Sequence, residues 1–351
     1  MRHKHSNQAS HQQADGSYPM SLPYRELGTA PNAASALEPP EVEIGGRSLR
    51  QIAWRQLKQD KVAMAGGIGI VTIFWVAVFS SQLNHLYGHE PGRFNSGLTD
   101  LDTTMPFGRF GGISSTHWLG VQPVSGQDIL SQLIAGTRTS LLIALSATLL
   151  SMILGVVVGI ASGYYRGKVD LVLVMSIDAL LTFPVLLLTL TLLTIFSLAP
   201  SFLGMSGQVL DFALVIFLLG FFGFSYLARL VRGQVISLRD KEFIYAARSL
   251  GASDWRIITR EILPNLMGPL LVWLTLQIPV NILAEAALSY FGVGLQPQTP
   301  SWGGMLATAR NVFYIDPMFL ILPGTALFLT VLAFNLFGDG LRDAFDPRST
   351  R

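Results

Sequence analysis

Apolar residues dominate six stretches of the chain, at about 62–82, 139–162, 172–198, 210–230, 265–290 and 318–338. A helix of about 20 apolar residues crosses a hydrocarbon core about 30 Å thick, and inside that core only a helix or a closed barrel satisfies its own backbone. The pattern predicts an all-α polytopic membrane protein with six transmembrane helices, in one domain over 62–348. The third stretch carries Asp178 near its start and Pro184 within it, and the fifth carries Glu285. Proline is tolerated in such helices because neighbouring helices re-satisfy the freed backbone groups.

Residues 1–46 are rich in Ala, Ser, Pro, Gln and Asn and show no apolar period, which predicts a disordered tail. His3, His5 and His11 in it read as scattered solvated side chains rather than a metal cluster. From Ser48 to Lys58 the pattern changes. Leu49, Ile52, Ala53 and Leu57 fall on one helical stripe, with Trp54 beside it and Arg50, Arg55 and Lys58 as basic company. A helix over 47–61 lying on an anionic membrane surface fits this, and so does a plain helical start to the first span. The first apolar run begins only near Val62, so it is expected to act as an uncleaved span. The stretch at 83–138 is long, polar and Gly-rich. At its end Ile129, Leu130, Leu133 and Ile134 form a stripe that predicts a surface-lying helix leading into the second span.

With 50% hydrophobic and 13% charged residues, the chain lies far from the soluble average of about a quarter charged. A net charge of +2 points to no nucleic-acid partner, and the absence of Cys excludes disulfides and thiolate metal sites. The basic residues instead report topology. Of 24 Lys and Arg, eight fall in the first 61 residues, two are Arg166 and Lys168, seven lie between Arg229 and Arg260, and three follow Leu341. If the N-terminus is cytoplasmic, those twenty share the inner side and only Arg93, Arg109, Arg138 and Arg310 lie on the outer. By the positive-inside rule both termini and the segment at about 233–264 are expected in the cytoplasm.

That segment is a polar, basic interruption between two apolar runs. Ala246, Ala247, Arg248 and Leu250 favour helix, and Gly251 offers a stop that accepts positive φ. A second helix, Asp254 to Leu263, is expected to end at Pro264. Small alanines let another surface approach the backbone closely. The stretch resembles the signature loop of ABC-importer permeases, Glu-Ala-Ala, three residues, Gly, nine residues, Ile, one residue, Leu-Pro. Ala246, Ala247, Gly251, Leu263 and Pro264 fit, whereas Tyr245 stands where that pattern has Glu and Glu261 where it has Ile. The resemblance implies that Tyr245, Ala246, Ala247, Arg248, Gly251, Ala252, Leu263 and Pro264 couple the protein to an ATPase, the short helix docking in an ATPase groove. An ordinary amphipathic loop is the other reading of the spacing.

Three further blocks resemble permeases of the peptide/nickel importer branch. They are His117-Trp-Leu-Gly120 with Gly126 to Arg138, Glu285 to Gly303, and Leu332 to Arg348. Gln127 takes the place of that branch's usual Arg. The resemblance implies a type I ABC importer permease fold and an inner-membrane, multi-pass location. It also implies a second homologous permease, two ATP-binding subunits and an extracytoplasmic substrate-binding protein as partners, besides the lipid bilayer. No cofactor is expected, ATP being bound by the partner subunits.

Glu285 is an expensive charge inside an apolar span, and such carboxylates tend to face a partner or a water-filled path. A pore-facing or inter-subunit role and a structural hydrogen bond within the bundle are both open. Asp178, nearer the cytoplasmic end, reads as structural. Asp339, Arg342, Asp343, Asp346 and Arg348 read as a solvated, partly ion-paired end. His117 reads as a loop or interfacial histidine, and no metal site or catalytic residue is expected. No phosphate-binding Gly-x4-Gly-Lys-Ser/Thr loop, His-Glu-x2-His helix or Gly-x-Ser-x-Gly elbow occurs. The expected function is the pore-forming subunit of an ATP-driven importer of small peptides. The alternatives are nickel, glutathione or a sugar as cargo, a stand-alone secondary transporter or channel, and a membrane scaffold.

Overall fold

The structure, a computed structural model, describes residues 49–345 apart from 101, 109, 198–200, 202–203 and 296–298. The expected 1–46 tail, Asp346 and Arg348 therefore lie outside the described residues. Helix α1 (Leu49–Gln59) is followed by α2 (Lys61–Val78), whose first turn is capped by Asp60 Oδ1 accepting from the amides of Val62 (2.8 Å) and Ala63 (3.1 Å). The chain bends at Phe79 into α3 (Ser80–Tyr87), so the first span ends earlier than the apolar run suggests. No β-strand occurs among the described residues, and two isolated bridges, Thr99 to Pro106 and Val121 to Asp128, pin the 88–128 loop.

The centre of the bundle is the pair α4 (Ile129–Tyr164) and α7 (Gly207–Arg239). Gly155, Gly159 and Gly163 recur every four residues and so share one face of α4. A Cβ on them would sit 2.8 Å from Leu227 Cβ, 2.7 Å from Val231 Cβ and 2.7 Å from Val235 Cβ respectively. Lipid is as apolar as Leu, so helices in it associate by close packing rather than by the hydrophobic effect, and this ridge supplies that packing. One turn before the ridge, Ser151 Oγ donates to the Gly220 carbonyl of α7 at 2.8 Å. Between the two helices in sequence come α5 (Lys168–Thr182) and α6 (Val185–Ser197).

Three expectations need correction here. The third span is not one straight helix, because α5 and α6 meet at 82°. Phe183, before Pro184, is extended (φ −81°, ψ 139°), as the proline ring disfavours helical backbone in the preceding residue. Ile129 to Ile134 form no surface helix, but the first turns of the 36-residue α4, with Ile129 buried. Pro264 ends nothing. It lies in the first turn of α10 (Leu263–Tyr290), which continues from α9 (Asp254–Ile257) through a π-turn over Ile258–Ile262. The wider turn, in which the Leu263 amide reaches back to the Ile258 carbonyl, absorbs the donor that proline lacks.

Among the described residues, five helical stretches are long and apolar enough to cross a membrane: α2, α4, α7, Asp254–Tyr290 and α12 (Met318–Phe345). The bent α5–α6 pair, taken as one broken span, brings the number to six. Helix α12 packs on α2, α10 and α1, with Gly66 so close to it that a Cβ would meet the Ala333 carbonyl at 2.7 Å. The short α11 (Trp302–Ala309) tucks between α10, α12 and α4.

Candidate functional site

At the end of the bundle where α4 and α7 terminate lies α8 (Glu242–Ser249). Ile244, Ile257 and Ile262 are fully buried against Tyr164, Val231 and Val235, so the segment is bolted to the α4–α7 pair. Its termination is a Schellman motif. The Ala252 amide donates to the Ala247 carbonyl (3.1 Å), the Gly251 amide to the Arg248 carbonyl (3.0 Å), and Gly251 takes φ +78°. Ser253 then caps α9 by accepting from the Arg256 amide at 3.4 Å. Ala246 and Ala247 leave the outer backbone of α8 uncovered, Ala246 being exposed and Ala247 half-buried.

Large apolar side chains cluster on that free surface. Leu250 is 89% exposed, Trp255 75%, Tyr245 51% and Phe243 41%. Large apolar side chains left this exposed on a polar, basic segment mark a surface for a partner. A cleft of about 240 Å³ opens among Ala247, Leu250, Gly251, Arg256 and Glu261. Tyr164, the last residue of α4, donates to Asp254 Oδ1 (2.6 Å) and accepts from Arg248 Nη2 (3.2 Å), with the guanidinium also over its ring. That hydroxyl holds the Arg248 guanidinium above its ordinary pKa. Tyr164 was invisible as a site residue in the sequence, where it reads as the end of an apolar run. Of the sequence candidates, Tyr245, Ala246, Ala247, Arg248, Gly251 and Ala252 come together here. Leu263 and Pro264 lie beyond α9 and the π-turn, at the root of α10.

Ion pairs brace the same end. Arg232 grips Asp170 through Nε (2.7 Å) and Nη2 (3.0 Å), Arg166 meets Asp240 at 2.8 Å, and Arg229 meets Asp178. Asp178 thus has an ion-pair partner on α7. Arg239 donates to the Gly163 carbonyl.

Glu285 lies inside the bundle of this subunit. It is 1% exposed, and its two oxygens accept from Ser140 Oγ on α4 (3.0 Å) and Ser289 Oγ on α10 (2.9 Å). Ser140 Oγ in turn accepts from the Trp302 amide at the start of α11 (3.3 Å). Gly303 lets α11 come this close, since a Cβ there would sit 2.6 Å from Ala286 Cα. The carboxylate ties three helices of one subunit together and meets no open path in this conformation.

At the other end of α4, His117 lies in the 88–128 loop, one of the two places read for it, and is buried, with its Nδ1 2.9 Å from Asp128 Oδ2. Asp128 also caps α4 by accepting from the Ser131 amide at 2.7 Å. Burial pushes the neighbouring Tyr87 phenol up to about 12, so it stays a donor to Asp128. Gln127 is absorbed into an amide network with Gln122 and Gln132.

Residues 155–351, more than half of the chain, match the binding-protein-dependent transport system inner membrane component. The chain belongs to this family. Residues 48–96 match a second family, the N-terminal TM domain of oligopeptide transport permease C. A glutathione transport system permease protein of Pectobacterium atrosepticum is 36% identical over 296 residues, 84% of this chain and 90% of its own. A dipeptide transport system permease protein of Alkalihalophilus pseudofirmus is 36% identical over 310 residues, 88% of this chain and 93% of its own. A glutathione permease from a strain of Escherichia coli is 35% identical over 317 residues, 90% and 95% of the two chains. Membership makes this protein a permease subunit of an ABC importer in the inner membrane, of a family that works with ATPase and substrate-binding partners. The stand-alone transporter, the channel and the scaffold are set aside.

Proposed function

We propose that this permease pairs with a second homologous permease and moves small peptides, glutathione among them, delivered by an extracytoplasmic binding protein. Two ATP-binding subunits power it, seated on α8, Gly251 and α9 at the cytoplasmic face. The observation that carries this is the exposed apolar cap of Tyr245, Leu250 and Trp255 on a segment locked to the ends of α4 and α7. A load on that cap passes directly into the two central helices, and packed helix interfaces switch between discrete arrangements rather than deforming smoothly. By linkage, the pore state that the loaded binding protein favours must also favour ATPase closure. Both termini face the cytoplasm on this reading, as the Lys and Arg distribution supports. Helix α1, with Trp54 exposed and Lys58 over its ring at 5.1 Å, rests on the inner leaflet. The cargo assignment follows the names of the relatives.

The assembled transporter in proteoliposomes tests this. Gly251→Pro forbids the positive φ and removes the amide bonded to Arg248, so transport of dipeptide or glutathione should fall at least ten-fold while membrane levels of the complex hold. Equal transport at matched levels would sink the docking claim. ATPase stimulation by nickel or a sugar but by no peptide would reassign the cargo.

A further inference from the structure

One cluster lies outside everything the transport reading uses. His89, His117 and Asp128 each present one donor atom, and these atoms lie within 4.8 Å of one another. The three come from separate places: His89 just past the end of α3, His117 in the 88–128 loop, and Asp128 at the cap of α4. Capping α4 accounts for Asp128, but it does not require two imidazoles to converge on that carboxylate.

The hydrogen bonds around them bear on what they can do. His89 Nε2 faces the Thr116 carbonyl at 2.8 Å, and a carbonyl only accepts, so Nε2 carries the proton and Nδ1 keeps its lone pair. His117 Nδ1 lies 2.9 Å from Asp128 Oδ2, so these two donor atoms already stand side by side and an ion bound by both replaces the proton between them. His89 thus has its tautomer set by an acceptor on one side and keeps a free lone pair on the other, the arrangement of a metal-ligating histidine. Tyr87 Oη completes the outer layer, donating to Asp128 Oδ2 at 3.0 Å and receiving the Trp118 amide at 3.0 Å. The imidazole rings lie 4.6 Å apart between centroids and are tilted by 36°.

We infer that His89, His117 and Asp128 bind one divalent first-row transition-metal ion of the zinc class, fastening the end of α3 to the start of α4. Two imidazoles and one carboxylate suit zinc with water in a fourth position. Bonds of about 2.0–2.2 Å place tetrahedral ligands about 3.4 Å apart, so closure asks each side chain to move by less than about 1 Å. His89 is partly exposed, which leaves the ion a way in. Hard cations such as magnesium prefer all-oxygen sites and should not compete.

The test uses the assembled transporter in nanodiscs, chelator-washed and titrated with cobalt and then zinc. The reference protein has His3, His5 and His11 replaced by Ala, so that the tail histidines contribute no binding. It should take up one more cobalt per copy of this chain than the same complex carrying His89→Ala, with visible d–d absorption that zinc abolishes. Zinc should raise its melting temperature, and His89→Ala should erase that shift, while His85→Ala, at an exposed neighbour, keeps it. Tyr87→Phe should weaken affinity about ten-fold through the loss of its bond to Asp128. Equal uptake by the reference and His89→Ala, or a zinc shift that survives His89→Ala, would overturn the assignment.

Discussion

Glu285 shows at the scale of a single residue how a buried charge is housed. Its carboxylate serves the hydroxyls of Ser140 and Ser289, and through Ser140 it holds the amide that opens α11. Removing one member of a buried network leaves its partners unsatisfied, at about 1–3 kcal/mol. Glu285→Ala should therefore lower the melting temperature of the purified complex by several degrees, with Glu285→Gln losing less. A residue serving a pore instead would change transport at unchanged stability, and that outcome would contradict the structural role. The charge was conspicuous in the sequence, but its partners were not. Ser140 lies 145 positions away and reads as one more small residue in an apolar run. Gly251 was legible for the opposite reason, because its conformation is set by the residues immediately before and after it.

Among the elements, the α4–α7 pair carries the bundle, and its contact depends on the Gly155, Gly159, Gly163 ridge. Gly159→Leu would drive a side chain into Val231 and the Ala228 carbonyl, where a Cβ alone comes within 2.8 Å. Overpacking of this kind costs about 1–3 kcal/mol or more, so the variant should melt earlier and assemble poorly. Gly233→Leu on α7, where a Cβ meets nothing within 4 Å, should change little. Comparable melting of the two variants would show that the ridge is dispensable. A four-residue glycine spacing in an apolar run was a readable signal for close helix approach, and the hydropathy pattern alone passed over it. Hydropathy located the spans because it depends on local composition. It missed the 82° break at Pro184 and the π-turn before Pro264, where backbone sterics decide the geometry. The continuous start of α4 was missed too, since burial of Ile129 depends on Met305 and Phe319 packing from distant parts of the chain.

For the molecule as a whole, the two ends of the bundle are chemically unlike. One carries the ion pairs of Arg166, Arg229 and Arg232 and the apolar cap of Leu250 and Trp255. The other carries the 88–128 loop with its histidine and carboxylate cluster. This polarity is what a subunit needs if energy enters at one face and cargo at the other. The chain contains no Cys, so a single cysteine placed by Leu250→Cys is a clean probe. In the assembled transporter that position should cross-link to an ATP-binding subunit through a short bifunctional reagent. It should also resist a membrane-impermeant maleimide added outside intact cells. Labelling from outside, or the absence of any cross-link to an ATP-binding subunit, would contradict the claim that this surface receives the power stroke.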